Sequence, residues 1–374
     1  SKADLDASTT SKSLTKQISE KALRYDLTVP FARFVVQNRN DITFPFKRYQ
    51  MQNVWRADRP QKGRYREFFQ CDADVIGSDS LLCEVELVQL YDDVFSKLKI
   101  PNVDICINNR KVLSGMIEIM GASDLFDAVV IILDKLSVIG LDKVKEELLE
   151  KGVTSKSLLI LDDFLNTNNI ADLDSLLVKS EIGKKGLEEL QFVIDNIMKL
   201  ELQSANLVFD ITLARGLDYY TGSILEVKAN DVQIGSIGGG GRYDDLTSNF
   251  GLKDISGVGI SFGIDRIYLV MEELDLFPKN IAISTQVMFT NFGVEEANYC
   301  LPLLKQLRGS GISSELYPTS DKMKKQMNYA NKRGIRFVVL AGKDEMESGV
   351  LTVKDMSTGE QSNLNISELI KQLS

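Results

Sequence analysis

Two peptides constrain this chain most. Leu213-Ala214-Arg215-Gly216-Leu217-Asp218-Tyr219-Tyr220-Thr221-Gly222 is followed, after a short spacer, by Gly238-Gly239-Gly240-Gly241-Arg242-Tyr243-Asp244. Each joins strand-like sequence to a glycine turn that carries arginine and tyrosine, groups suited to gripping an anion and an aromatic heterocycle. The glycines permit close backbone approach to a ligand, with a merely flexible turn as the alternative. The run lacks the spacing and βαβ setting of a dinucleotide-binding motif. Phe209, Ile211, Leu213 and Arg215 share one face of a predicted strand, so Arg215 closes an apolar row, an unfavourable place for a charge unless it faces an anion.

Composition limits the alternatives. With 374 residues, 44% hydrophobic and 26% charged, the chain can bury at least two cores of ordinary domain size. Charges interrupt every apolar stretch; Asp127 and Asp134 break residues 125–136, so a membrane span is not expected. No secretory signal is visible. Cys71, Cys83, Cys106 and Cys300 form no CxxC pair, which predicts reduced, buried thiols and a cytoplasmic location. There is no histidine at all, so imidazole bases and His-ligated metal sites are excluded from this sequence. Anion and proton chemistry falls to carboxylate, Lys, Arg and Tyr.

The net charge of −9 argues, taken globally, against a nucleic-acid partner. Its distribution differs. Residues 285–374 hold 11 Lys plus Arg against 10 Asp plus Glu, a net of +1, so the rest of the chain carries −10. Lys322, Lys324, Lys325, Lys332 and Arg333 concentrate on one predicted helix and its end, either as a contact for RNA or as a solvated face.

Along the chain, residues 1–20 are polar and read as a mobile loop. Residues 24–77 favour strands. Tyr49, Met51 and Trp55 alternate with Arg48, Gln50, Gln52 and Arg56, and Phe69, Cys71, Ala73 and Val75 alternate with Phe68, Gln70, Asp72 and Asp74. This period of two predicts a hairpin whose apolar faces pack on helices while Arg56, Gln70 and Asp74 reach a common pocket. The connection from Asp58 through Arg59, Gln61 and Arg64 is too polar and long for a tight turn, and reads as an exposed loop able to touch phosphate or RNA, or as a plain polar hairpin. Residues 80–98 are helical, 103–109 a strand, and 111–203 a helical insertion with breaks near Gly140, Gly152 and residues 166–169. A strand over 256–263 leads into a helix over 265–273, which puts Arg266 at their junction. Beyond residues 278–285, strands (286–290, 313–317, 336–340) alternate with helices (295–307, 321–331) as in a small α/β domain.

The ordered succession of these peptides resembles the histidyl-tRNA synthetases. The two glycine peptides look like that family's signature peptides, residues 46–77 like motif 2 of class II synthetases, residues 257–269 like motif 3, and the last ninety residues like the anticodon-binding domain. The resemblance implies an α+β fold: a class II antiparallel sheet flanked by helices, with a helical insertion and a C-terminal α/β domain. Its divisions would be catalytic 1–110, insertion 111–203, catalytic 204–280 and anticodon-binding 285–374. The family's N-terminal motif 1 segment, which supplies dimer contacts, is missing from the sequence, so a fragment of a homodimeric protein is expected.

The implied activity is ATP-dependent formation of histidyl-adenylate from L-histidine and transfer to tRNA(His). By resemblance, Arg56 binds the α-phosphate, and Arg215 bridges it to the histidine carboxylate. Arg56, Asp58, Arg64 and Arg266 would hold ATP, while Asp26, Thr28, Gln70, Asp74, Arg215, Tyr219 and Tyr220 would hold histidine. Arg59 and Gln61 would meet the tRNA acceptor end. Core packing is the alternative for Tyr219, Tyr220 and Tyr243. Mg²⁺ is implied by ATP chemistry, not by any protein metal signature. No general base is needed, because a carboxylate is already a nucleophile at neutral pH. A non-catalytic relative that senses histidine or uncharged tRNA is the competing reading, and a biosynthetic regulatory paralogue is disfavoured by the C-terminal domain. Chance, engineering, or selection to keep synthesis independent of its own product would each leave a chain without histidine.

Overall fold

The computed structural model describes residues 14–15, 18–167, 169–214, 219–278 and 285–373. The chain divides into two compact units, one up to Leu276 and one from Phe277. The first is built on a seven-stranded sheet. Strands β1 (Phe46–Trp55), β2 (Glu67–Ile76), β3 (Val103–Asn109), β4 (Ala205–Phe209), β5 (Ser223–Ala229), β6 (Gly238–Tyr243) and β7 (Gly257–Gly263) take the order β1-β2-β7-β6-β5-β3-β4. Every neighbouring pair is antiparallel except β3 and β4. This is the α+β arrangement the sequence implied.

One face of the sheet is covered by helix Leu82–Leu98, whose Tyr91 and Phe95 pack with Phe262 of β7. Helices Arg110–Ile119 and Glu181–Met198 bracket the helical insertion and share its core, with Leu113, Met116, Leu190 and Val193 buried. Asn109 opens the first of these helices by accepting from the Lys111 N–H at 2.9 Å, and Ser180 opens the second by accepting from Gly183 at 3.1 Å.

Three local expectations are corrected. The glycine run is not a turn but the central strand β6, with ladders to β5 and β7. A strand without side chains lets others fill the space above and below it. The predicted strand through Ile211 and Leu213 ends at Phe209, and the chain then turns, held by Asn108, whose amide donates to the Ile211 and Leu213 carbonyls at 3.2 and 3.0 Å. The apolar face of β1 is not covered by a helix: Tyr49 is 76% and Met51 58% exposed. Helix Leu82–Leu98 reaches β1 at its start, where Lys47 meets Glu86 at 2.6 Å, and runs from there over the inner strands.

The second unit has a five-stranded sheet of β8 (Val287–Phe289), β9 (Ser314–Leu316), β10 (Phe337–Leu340), β11 (Leu351–Asp355) and β12 (Gln361–Leu364) in the order β12-β11-β10-β8-β9. Its strands β9, β8 and β10 are parallel, joined by helices Val294–Gly309 and Met323–Lys332, and β11 and β12 complete it antiparallel. Lys322, Lys324, Lys325, Lys332 and Arg333 are all exposed, while Gln326 and Ala330 turn to the core. Among the described residues, no helix is long and apolar enough to cross a membrane. All four cysteines are free; Cys106 and Cys300 are buried, and Cys71 and Cys83 are partly so.

Candidate active site

The face of the sheet opposite helix Leu82–Leu98 carries a cavity of about 290 Å³. Strand register explains its floor. Glu226, Gly239, Ser261, Asp72 and Gln50 stand side by side across β5, β6, β7, β2 and β1. A Cβ on Gly239 would meet nothing nearer than the Leu225 carbonyl at 3.5 Å, so at the middle of this row the floor is bare backbone. One row deeper, Gly241 and Gly259 make room for side chains: a Cβ at 241 would lie 2.9 Å from the Tyr220 ring, and one at 259 would lie 2.1 Å from Asp74 Oδ1.

Segment 24–28 and the tyrosine pair close one end. Asp26 is buried; one oxygen accepts from the Val29 N–H at 3.3 Å, at the start of helix Thr28–Gln37, and the other from the Tyr219 hydroxyl at 3.3 Å. Burial pushes the Asp26 carboxyl up, against the pull of Val29, Tyr219, Arg56 and Arg48. Tyr219 and Tyr220 meet edge to face at 4.9 Å and both line the cavity, where burial holds their hydroxyls protonated. Thr28 lines it beside them.

Of the hairpin residues expected to share a pocket, Arg56 and Gln70 line it and Asp74 does not. Asp74 is 2% exposed, accepts from the Tyr243 hydroxyl at 2.7 Å and pairs with Arg48 at 2.9 Å. It therefore acts on the cavity through Tyr243, which does line it. The side chain reaching the cavity from this strand is Asp72, which is 2% exposed. Period two puts residues 70, 72 and 74 on one face, so the sequence held the signal; depth along the strand decides which carboxylate opens to the cavity. Burial, and then Asp74, push Asp72 up to about 7; burial raises Asp74 to about 6, opposed by Arg48 and Tyr243.

The other end of the cavity is basic. Arg56 lies under two rings, 4.4 Å from the Tyr25 centroid and 5.0 Å from that of Phe68, and its Nε donates to the Tyr25 carbonyl at 3.3 Å. Arg266, in the first turn of helix Ile264–Glu273, donates to the Gly63 carbonyl at 2.7 Å and the Ser236 carbonyl at 2.6 Å. The connection 56–66 is more ordered than its composition predicts. Gln61 and Arg64 exchange backbone hydrogen bonds of 3.0 and 2.9 Å around Gly63, whose φ of +69° suits glycine. That tight turn folds the loop back onto Arg266. Asp58 and Arg64 line the cavity, 3.8 Å from each other, while Arg59 and Gln61 are exposed to solvent.

Arg242 does not grip an anion in this cavity. It alternates to the other face of β6, is 3% exposed, and makes a two-pronged pair with Glu84 at 2.6 and 2.6 Å, with further donations to the Ser78 and Ser80 carbonyls. Arg215 lies outside the described residues. Among the described residues, no group of three His, Cys, Asp or Glu side chains is placed to hold a metal ion.

The family model for histidyl-tRNA synthetase matches residues 3–267, and that for an anticodon-binding domain matches residues 284–374. The chain belongs to the histidyl-tRNA synthetase family. A histidine--tRNA ligase of Christiangramia forsetii is 58% identical over 98% of this chain and 82% of its own length, and one of Flavobacterium johnsoniae is 55% identical over 96% and 77%. The crystal structure of a histidyl-tRNA synthetase from a Nostoc species superposes with a TM-score of 0.81 at 32% identity, covering 94% of this chain and 84% of that one. In this histidyl-tRNA synthetase fold, sequence reasoning missed Asp72 and Ser261 as cavity-forming residues and Arg48 as the partner of Asp74, while the close backbone approach read from the glycine run is met at Gly239. They follow from strand parity once β1, β2, β7 and β6 are known to lie side by side in that order.

Proposed function

We propose that this chain is a histidine-tRNA ligase, joining L-histidine to ATP as histidyl-adenylate and passing it to tRNA(His). The observation that carries the reading is a single cavity with an acidic, aromatic, buried end and a basic, more exposed end. Adenylation brings a carboxylate to an α-phosphate while pyrophosphate leaves, so cations must be held rigidly where negative charge gathers. Arg56, braced by two rings, is assigned to the α-phosphate, and Arg266 with Arg64 and Asp58 to the rest of the nucleotide. By resemblance, Arg215 bridges the histidine carboxylate and the α-phosphate. Asp26, Thr28 and Gln70 are suited to the substrate ammonium, and Tyr219, Tyr220 and Tyr243 wall the ring. Asp74 positions Tyr243.

A magnesium ion, arriving with the triphosphate, would neutralise part of its charge and needs few protein ligands. Arg59 and Gln61, exposed at the tip of the 56–66 loop, are suited to the acceptor end of tRNA, and the second unit to the rest of it. The reading carries with it a cytoplasmic homodimer, for which the exposed Tyr49 and Met51 on β1 offer apolar surface. Retention of the cationic and carboxylate sets together favours the enzyme over a sensor.

Histidine-dependent ATP–pyrophosphate exchange tests this directly. Exchange is expected with histidine alone among the amino acids, and Arg215→Ala should abolish it. Histidine binding without exchange would make the chain a sensor, and exchange surviving within tenfold in the variant would remove Arg215 from its role.

A further inference from the structure

The acidic end of the cavity gathers three buried carboxylates, Asp26, Asp72 and Asp74, around one arginine, Arg48. Asp72 lines the cavity from β2, and its Oδ1 has no hydrogen-bond partner. The groups around it come from every neighbouring element. Asp74 and Cys71 share its strand, and Gln50 stands opposite it on β1, two residues from Arg48. Ser261 stands opposite it on β7; Tyr91 approaches from the helix behind the sheet, Tyr220 from the tyrosine pair and Asp26 from segment 24–28. Glu226, three strands along the same row, has Lys228 at 3.8 Å.

Arg48 is the cation of this set, and it is committed. Its guanidinium pairs with Asp74 at 2.9 Å and donates to the Leu27 carbonyl at 3.1 Å and to Gln50 at 2.8 Å. Arg56, whose charge also reaches Asp26, is assigned to the α-phosphate, so with the substrate bound Asp26, Asp72 and Asp74 would be left with two positive charges, Arg48 and the substrate ammonium. A neutral imidazole would then leave one buried negative charge unmatched, which is strongly disfavoured. An imidazole ring has one donor and one acceptor when neutral and two donors when protonated, so a carboxylate facing it is best satisfied when one proton lies between them.

We infer that Asp72 is a specificity-determining residue that recognises the substrate ring through a single shared proton, so that the pocket selects a ring able to accept one. The inference rests on the histidine-activating reading above. Proton balance follows from it. Below the ring's ordinary value of about 6.5, ring and Asp72 each carry a proton when free, and one is released to solvent on binding. Above about 7, the value to which burial raises Asp72, neither carries one, and a proton is taken up from solvent.

Calorimetric titration of histidine into the intact chain at pH 8, in buffers of differing ionisation heat, counts these protons. The protein should take up about one proton more per histidine than Asp72→Asn does, a difference that cancels any contribution of the substrate amine. In pyrophosphate exchange, KM for histidine should rise roughly tenfold per unit above pH 7.5 in the protein and stay flat in the variant, with kcat little affected by pH in either. Binding and exchange without proton uptake by the unaltered protein would overturn the inference by itself, whether or not the variant folds. Uptake that persists in a folded Asp72→Asn would assign the proton elsewhere and overturn it too. Absence of both histidine binding and exchange would instead sink the activity reading, and this inference with it.

Discussion

The two ends of the cavity are built on opposite principles. At the acidic end Asp26, Asp72, Asp74 and Tyr243 are each less than 5% exposed, with Asp26 held by Val29 and Tyr219, and Asp74 by Tyr243 and Arg48. At the basic end Arg56, Arg64 and Arg266 keep contact with solvent. Rings and backbone carbonyls steady Arg56 and Arg266, and the Asp58 carboxylate stands off from Arg64 at 3.8 Å. A small cationic substrate has to be stripped of water and matched atom by atom, so its partners must be in place beforehand. A triphosphate is large and keeps much of its hydration, and cations held mainly by uncharged groups retain their charge to meet it.

The sharpest break of this comparison is Arg56→Ala. Because Arg56 is braced by rings and a carbonyl, exchange should fall by a factor on the order of 10²–10³ while thermal stability is unchanged. Thermal melting of the variant checks the second half; a large loss of stability would mean that Arg56 is structural, like Arg242.

Glycines distinguish the ends next. Gly259→Ala drives a Cβ against Asp74 and should destabilise the protein by about 1–3 kcal/mol, seen in denaturant titration. Gly239→Ala adds the same methyl to open floor, so stability should hold while KM for substrate rises several-fold. Equal effects of the two substitutions on stability would mean that the floor at Gly239 is not open.

Acidity sharpens the comparison further. The folded value of Asp72, about 7, lies above its unfolded value near 3.8, so the folded state binds more protons between them. The stability it contributes is fully present below about pH 3.8 and is lost as pH rises through 7. Asp72→Asn should therefore stabilise the protein at pH 8 by on the order of 1–2 kcal/mol and change little at pH 4. Denaturant midpoints at the two pH values decide it, and a uniform shift at both would count against the assignment.

The smallest effect is expected in the second unit. Replacing Lys322, Lys324, Lys325, Lys332 and Arg333 by glutamine should lower tRNA affinity at low salt and flatten its salt dependence, by about one unit of log–log slope for each phosphate no longer neutralised. Histidine adenylation should not change. An unaltered slope would leave these residues as a solvated face.

The hairpin of β1 and β2, the Arg56 and Gln70 pair, the helical insertion and the α/β character of the last ninety residues were all legible as period and spacing, because these are local properties of the chain. The tyrosine pair and Arg266 were legible through resemblance. Tertiary structure decided what depends on neighbours far apart in sequence. It made the glycine run a strand, because β5 and β7 supply its ladder, and turned Arg242 away to Glu84 of a helix 158 residues earlier in the chain. It also set the depth of β2 beneath the cavity. Alternation states which face a carboxylate takes; only the packing of β7, β6 and Tyr243 against β2 determines that Asp74 is sealed with Arg48 and Asp72 is left lining the cavity.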